Sequence, residues 1–345
     1  LKAIRIHDHG GVEKLRYEEA PEPELTAPTD VIVKLKASAV NHGDLDLRRG
    51  LRNKEVPLPH ILGSDGAGIV MQAGESVRHV REGDPVCFYP AEGCGGCEFC
   101  ITDGEPLCTR LRVLGEHGNG TYAEYVRLPG RNCFRIPARY SFDEAAAFPL
   151  VYVAAWRMLV THAALKPGEH VLILGIGGGV AIAALQIAVQ MGAHTIVTSR
   201  SNDKLARAKT LGADYGINYH NTDFPREVRQ ITGKRGVDVA VNCIGGDSWA
   251  KSLAALARGG RLVSCGAVAG PNPQTDVRRI FWNHLRVFGS TIGSRGEFKQ
   301  LLNLLERSTI KPVIDQILPL NEAGLAHRRL EEGKQFGKIV LRQDA

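Results

Sequence analysis

Up to about residue 130 the apolar positions come in short runs broken by turn residues. Val31-Ile-Val-Lys-Leu-Lys-Ala37 alternates as a half-buried strand does. Gly66-Ala-Gly-Ile-Val-Met-Gln-Ala-Gly74 and Pro85-Val-Cys-Phe-Tyr89 read as further strands, so the spacing predicts an irregular antiparallel β region. The period changes near residue 141. Ser141-Phe-Asp-Glu144 has the form of a capping box that opens a helix, and a helical pattern resumes over 154–160. Strand-like runs at 170–174, 194–198, 237–242, 260–265 and 285–290 then alternate with helical runs at 181–191 and 204–211. Such alternation predicts an α/β fold with a doubly wound parallel sheet. Beyond residue 291 the pattern predicts a helix at 297–307, a strand at 317–320, a helix to Gly333 and a strand at 337–342. This tail can close back onto the first region. The expected organisation is one β domain from 1–149 and 291–345, and a second domain at 150–290.

Composition narrows the picture. A length of 345 residues suits two domains. There are 39 glycines where average usage would give roughly 24, which points to tight turns and close backbone approach to a ligand. The net charge is +6, with Lys and Arg scattered, not gathered in the stripe that nucleic acid demands. No nucleic-acid partner is expected, and the basic tilt suits an anionic ligand. No run approaches about 20 apolar residues, so no membrane partner is expected. Leu1-Lys-Ala-Ile-Arg-Ile6 reads as a strand and not as a signal peptide. Of the eight cysteines, Cys87, Cys133, Cys243 and Cys265 stand alone, a pattern that fits a reducing, cytoplasmic setting.

Between the strand at 170–174 and the helix after it lies Gly175-Ile-Gly177-Gly178-Gly179-Val180-Ala181. A glycine turn in this place lets the backbone approach a pyrophosphate, and the helix start offers free N–H groups. Gly175-x-x-Gly178-x-x-Ala181 fits better than a plain G-x-G-x-x-G, because Val180 holds the last position of the latter. At the end of the second strand, where a carboxylate would hold an NAD ribose, the chain reads Ser199-Arg200-Ser-Asn-Asp-Lys204. Arg200 and Lys204 can offset a 2′-phosphate, so NADPH is expected ahead of NADH. Their alternative reading is two solvated charges at a helix start.

The remaining four cysteines form Cys94-Gly-Gly-Cys97-Glu-Phe-Cys100, then Cys108. Four thiolates at this spacing can close a tetrahedron around one Zn²⁺ with no open position, which makes a structural site in a lobe at about 90–112. An iron–sulfur cluster uses similar ligands, but the glycine-rich single lobe favours zinc.

Together these features resemble the medium-chain dehydrogenase/reductase superfamily over essentially the whole chain. The marks are Gly63-Ser-Asp-Gly-Ala-Gly68, Gly83-Asp-Pro-Val86, the cysteine lobe, Gly120-Thr-Tyr-Ala-Glu-Tyr125, Pro149-Leu-Val-Tyr-Val-Ala-Ala-Trp156 and the glycine turn. The resemblance implies a GroES-like first domain that holds substrate and a Rossmann second domain. In the zinc alcohol dehydrogenases of that superfamily the catalytic zinc needs ligands where this chain has Asn41, Ser64 and, for the third, only Leu150 or its neighbours. Asp65 alone cannot hold that ion. Quinone and enone reductases resemble this chain at both of the first two positions and use no catalytic metal.

The resemblance therefore implies a quinone oxidoreductase-like branch that keeps the structural zinc. The expected activity is NADPH-dependent hydride transfer to a quinone or α,β-unsaturated carbonyl. The alternatives are a zinc-type alcohol dehydrogenase with an atypical active site, or a non-catalytic NADPH-binding protein. Asn41 is the first candidate for a polar catalytic group, Asp46 the second, and His42 a candidate proton relay; Asp44 is assigned to loop structure. The family match adds Asn242, Cys243, Gly266, Ala267 and Val268 to the cofactor side, with Gly289 and Ser290 near the nicotinamide. It also implies a homodimer or homotetramer, with the 285–290 strand available for pairing.

Overall fold

The strand Asp30–Ala39 is apolar enough to be buried along most of its length, and it organises the first unit. In a computed structural model, which describes residues 1–51 and 55–343, the chain divides into two units, Leu1–Leu150 with Ser294–Ala345, and Val151–Gly293. In the first unit Asp30–Ala39 pairs antiparallel with Asp65–Ala73, with Tyr125–Pro129 and with Lys338–Arg342. Pro85–Phe88, Cys133–Arg135 and Ile314–Pro319 extend this sheet. Its interior is filled by Val31, Val33, Leu35, Val70, Val86, Phe88, Val126 and Leu128.

Register in this sheet fixes which residues meet where the central strand ends. Ala39 lies opposite Asp65 on one side and opposite Val340 on the other. The ladder continues one residue further, where Val40 N–H donates to Ile339 O at 3.0 Å. Asn41 and Lys338 are the next facing positions. A strand from the far end of the chain thus brings a lysine to the residue just beyond the central strand.

The second unit is a six-stranded, all-parallel sheet. We label its strands β1 (His170–Ile173), β2 (His194–Ser199), β3 (Tyr215–Asn218), β4 (Val237–Val241), β5 (Leu256–Ser264) and β6 (Arg286–Gly289). Their spatial order is 3-2-1-4-5-6, that of the dinucleotide-binding doubly wound fold. The helix Gly179–Gln190, here α1, is apolar nearly all round and accordingly buries Ala181, Ile182, Ala183, Ala184, Leu185, Ile187 and Ala188.

The expected GroES-like and Rossmann fold is therefore observed, with a few elements that the pattern did not reveal. β3 is an edge strand of four residues carrying Gly216, two of them exposed, and so has no apolar run. The helices Phe224–Ile231, Ser248–Ala255 and Val277–Trp282 are likewise short, six to eight residues.

Candidate functional site

Ser141 caps its helix as read, with Ser141 Oγ accepting from Glu144 N–H. The cysteine lobe is equally local. Sulfur atoms of Cys94, Cys97, Cys100 and Cys108 all lie within 4.8 Å of one another. Sγ of Cys97 and Cys100 are 3.5 Å apart, and those of Cys94 and Cys100 3.9 Å. Zn–S bonds of about 2.3 Å in a tetrahedron require edges of about 3.8 Å, so the four thiols fit one structural zinc. The N–H of Gly96, with help from Cys97, holds the Cys94 thiol down to about 6 although burial opposes it. Asp103, at φ 58°, ties the lobe to the helix Arg295–Arg307 by accepting from Ser294 Oγ at 2.9 Å and Gly296 N–H at 3.2 Å.

Around Asn41 a different arrangement appears. Its Nδ2 donates to Asp65 Oδ2 at 2.9 Å, and its Oδ1 accepts from Lys338 Nζ at 2.5 Å. Lys338 Nζ also donates to Asp65 Oδ2 at 3.1 Å, while Leu150 N–H donates to Asp65 Oδ1 at 2.9 Å. Asp65 is 0% and Lys338 4% exposed, so the ion pair is out of water. Removing one partner of such a pair typically costs about 3–5 kcal/mol, because the other charge is left buried. Ser64 is buried beside them and Leu150 offers only its backbone. These residues do not fit a catalytic zinc. The carboxylate that would have to bind it is occupied by an ammonium, and among the described residues the only compact group of three or more metal-binding side chains is the cysteine lobe.

Asn41 also begins the short helix His42–Arg48, where Asp44 Oδ2 accepts from Asn41 N–H at 2.9 Å. A chain of buried polar groups runs on from there. Tyr122 O–H donates to Asp44 Oδ2 at 3.0 Å, His327 Nε2 lies 3.2 Å from Tyr122 Oη, and Arg48 Nη1 lies 3.2 Å from His327 Nδ1. Arginine can only donate, so Nδ1 accepts and Nε2–H donates to the tyrosine. Burial, with Arg48 and Arg49, holds His327 down to about 3, which keeps it neutral. Burial lifts Asp44 to about 6 against the bonds from Asn41 and Tyr122. Glu331 pairs with the far side of the Arg48 guanidinium.

His42, on the exposed side of that helix, is held below the ordinary imidazole value by the protein packed about its ring. Asp46 opposes that shift, and Lys338 and Arg49 add to it. Asp46, half-buried, is thus near enough to His42 to bias it. Lys338, Tyr122, His327 and Arg48 were not singled out from the sequence. Nothing in their local spacing marks them; strand register places Lys338, and the docking of the helices His42–Arg48 and Ala323–Glu331 brings Arg48 and His327 together.

In the second unit the glycine turn lies between β1 and α1. Gly175 at φ 69° and Gly177 at φ 122° need the freedom of glycine. Gly178 caps α1 with no side-chain hydrogen bond, Gly179 opens the helix, Val180 is half-buried and Ala181 packs inward. First-turn N–H groups of α1 are thereby free of any side-chain cap, the arrangement that suits a pyrophosphate. Ser199 ends β2 and is buried, Arg200 is exposed, and Lys204 lies in the first turn of the helix Asn202–Thr210.

Past the end of β4, Asn242 Oδ1 accepts from Ile244 and Gly245 N–H at 2.9 and 3.0 Å, so this side chain shapes a turn. Cys243 lies 3.2 Å from Cys265, sulfur to sulfur. Gly266, Ala267 and Val268 are exposed beyond the end of β5, and Gly289 is exposed as the last residue of β6. Ser290 Oγ is buried with no hydrogen-bond partner among the described residues, as a group awaiting a polar ligand would be. No helix of the described residues is long and apolar enough to cross a membrane.

Residues 179–307 match a family described as zinc-binding dehydrogenase, and residues 27–138 match the alcohol dehydrogenase GroES-like domain. A zinc-type alcohol dehydrogenase-like protein of Schizosaccharomyces pombe is 33% identical, over 98% of each chain. An NAD-dependent alcohol dehydrogenase of Sulfurisphaera tokodaii is 32% identical, over 99% of each. A crystal structure of an NAD-dependent alcohol dehydrogenase is 42% identical, with a TM-score of 0.96 over 99% of each chain.

These findings overturn the expectation of an NADPH-dependent quinone or enone reductase, and they do not single out a quinone oxidoreductase-like branch. The physical reason is that Asn41 and Ser64 report a missing metal ligand set, which leaves the acceptor unspecified. The relatives are named NAD-dependent, whereas Arg200 and Lys204 had pointed to NADPH; charges at a helix start are cheap in water and do not by themselves require a phosphate.

Proposed function

This chain belongs to the zinc-type alcohol dehydrogenase family of medium-chain dehydrogenases, and on that premise we propose that it interconverts an alcohol and its carbonyl compound with NAD(H). The observation that carries the reading is the 42% identity, over 99% of the chain, to a solved NAD-dependent alcohol dehydrogenase. The uncapped start of α1, the positive-φ glycines and the orphaned Ser290 Oγ suit a dinucleotide. NAD⁺, when bound, supplies the hydride acceptor.

The remaining work falls to this chain's own side chains. Alcohol oxidation builds negative charge on the substrate oxygen, and a fixed cation in a dry site stabilises it. Lys338 is that cation: Asn41 and Asp65 take two of its three N–H groups and hold its direction, and among the described residues the third is left for an oxygen. Asn41 acts as a positioning residue through Lys338. His42, neutral and solvent-accessible, takes the alcohol proton, and Asp46 biases its basicity. The structural zinc, held by Cys94, Cys97, Cys100 and Cys108, supports the lobe and takes no part in the reaction.

The test is absorbance at the NADH band with a panel of primary and secondary alcohols forwards, and aldehydes and ketones backwards, each with NAD(H) and NADP(H). Turnover should favour NAD(H), and Lys338→Met should lower kcat by about a hundredfold or more while NADH still binds. Tight NADH binding without turnover of any alcohol or carbonyl would sink the reading.

A further inference from the structure

We propose that Cys243 and Cys265 are a redox modification site, closing to a reversible disulfide that loosens dinucleotide binding at the carboxyl edge of the parallel sheet. Two independent observations place the pair. β4 and β5 are adjacent parallel strands with Val241 opposite Val263, and Asn242 N–H continues the ladder to Val263 O at 3.0 Å. Counting two residues on from that register sets Cys243 beside Cys265, on the same face of neighbouring strands. Neighbouring strands lie about 4.8 Å apart, inside the roughly 4.4–6.8 Å that a disulfide needs between its Cα atoms. The side chains already converge, with sulfur atoms 3.2 Å apart, so about 1.2 Å of closure makes the bond. Both residues are partly exposed. The hydrogen bond from Cys265 favours the Cys243 thiolate, although burial opposes it.

The chemistry balances with a peroxide as oxidant. The Cys243 thiolate attacks one peroxide oxygen, the O–O bond breaks, and Cys243 becomes a sulfenic acid as hydroxide leaves. The Cys265 sulfur then displaces the sulfenic oxygen, the S–S bond forms, and the thiol proton leaves with that oxygen as water. The hydroxide takes up the proton that Cys243 released on ionising, so two electrons pass from the two thiols to the peroxide and two waters result. A small thiol restores the pair by exchange.

The effect on the cofactor comes from the turns that flank the cysteines. Ile244-Gly245-Gly246 and Gly266-Ala267-Val268 leave the strand ends together, joined by Ala269 N–H to Ile244 O at 2.8 Å and Gly246 N–H to Gly270 O at 3.0 Å. Gly245 and Gly246 sit at φ 71° and 50°, so these turns have little slack. A disulfide at their base draws them closer, at the sheet edge where a dinucleotide lies in this fold. That effect rests on the NAD(H) reading above; the disulfide itself does not.

The experiment treats the zinc-loaded protein with hydrogen peroxide, then alkylates, digests and maps disulfides by mass spectrometry. Zinc release and NADH affinity are followed in parallel. We expect a peptide joining Cys243 to Cys265 before zinc is lost, reversal by dithiothreitol, and NADH binding weakened at least about fivefold. Cys265→Ser, compared with its own reduced form, should keep its NADH affinity under the same treatment and accumulate a sulfenic acid at Cys243. Oxidation that strips the zinc without ever linking 243 to 265 overturns the proposal. A linked pair with unchanged NADH affinity overturns its effect on the cofactor. Failure of the reduced protein to bind NADH refutes the NAD(H) reading instead, and the linked peptide would still stand.

Discussion

The first unit handles clustered negative charge in two ways. The cysteine lobe gathers four sulfurs from 15 residues of chain to within 4.8 Å, a soft and closed set that only a metal dication completes. At Asn41, a single carboxylate is completed by Lys338, an ammonium 273 residues further along the chain. Four ligands are enough to desolvate a zinc ion, whereas one carboxylate is not, and there a cation tethered to the backbone serves instead. The contrast shows how a zinc-type family member can keep one metal site without the other: the two rest on different supports.

Removing a ligand from the lobe gives the largest expected effect. Cys97→Ser should release the single zinc and lower stability by about 5 kcal/mol or more, a part of the roughly 10–16 kcal/mol apparent affinity of small zinc domains. Metal analysis and thermal unfolding check this. A second zinc per chain, lost on Asp65→Asn, would break the comparison by placing a metal at the Asn41 cluster as well. Next comes Lys338→Met, which strands a buried Asp65 and should cost about 3–5 kcal/mol by urea unfolding. Adding Asp65→Asn to that variant should recover part of the loss, since no charge is then left unpaired. A loss that the double variant only deepens would mean that packing, not charge, ties the cluster together.

Acidification sharpens the comparison further, through the polar chain behind Asn41. Asp44 climbs from 3.8 to about 6, while His327 falls from 6.5 to about 3. For Asp44 the raised value gives stability that is full below pH 3.8 and lost as pH rises through 6. For His327 the depressed value gives stability that is full above pH 6.5 and lost as pH falls through 3. Between these limits the two slopes oppose, each at about 1.4 kcal/mol per pH unit. Asp44→Asn removes the compensation, so its stability should drop by about 3 kcal/mol relative to the parent protein between pH 6 and pH 3.8. Urea titrations across that range would run parallel if the two groups did not titrate this way.

The smallest effect concerns how independent the lobe is of its surroundings. Asp103→Asn weakens its bonds to Ser294 and Gly296 and should cost about 1 kcal/mol or less, with the zinc retained. Loss of zinc in that variant would show that the lobe depends on the helix that it touches.

Much of the architecture was legible because its signals are local. Period two at residues 31–37, the capping box at Ser141 and the glycine turn at Gly175 each depend on neighbours a few residues away, and each is found in place. The short elements such as Tyr215–Asn218 were not, since four residues at a sheet edge need little apolar character. The site was legible only in part. Asn41 and Ser64 showed that the usual metal ligands are replaced, but no spacing pointed to what stands there. Reading the reaction from that absence led towards quinones and NADPH, and likeness across the whole chain corrected it.

The sequence by itself determined the zinc lobe, because four ligands within 15 residues, three of them separated by only two, can meet with little help from the rest of the chain. It determined the parallel sheet as well, because alternating apolar runs have few other ways to bury themselves. Only the tertiary structure decided that Lys338 faces Asn41 and Asp65, that His327 closes a chain from Arg48 to Asp44, and that Cys243 meets Cys265. Each of these depends on strand register or helix docking between distant segments, which many weak packing contacts set together and no single motif encodes.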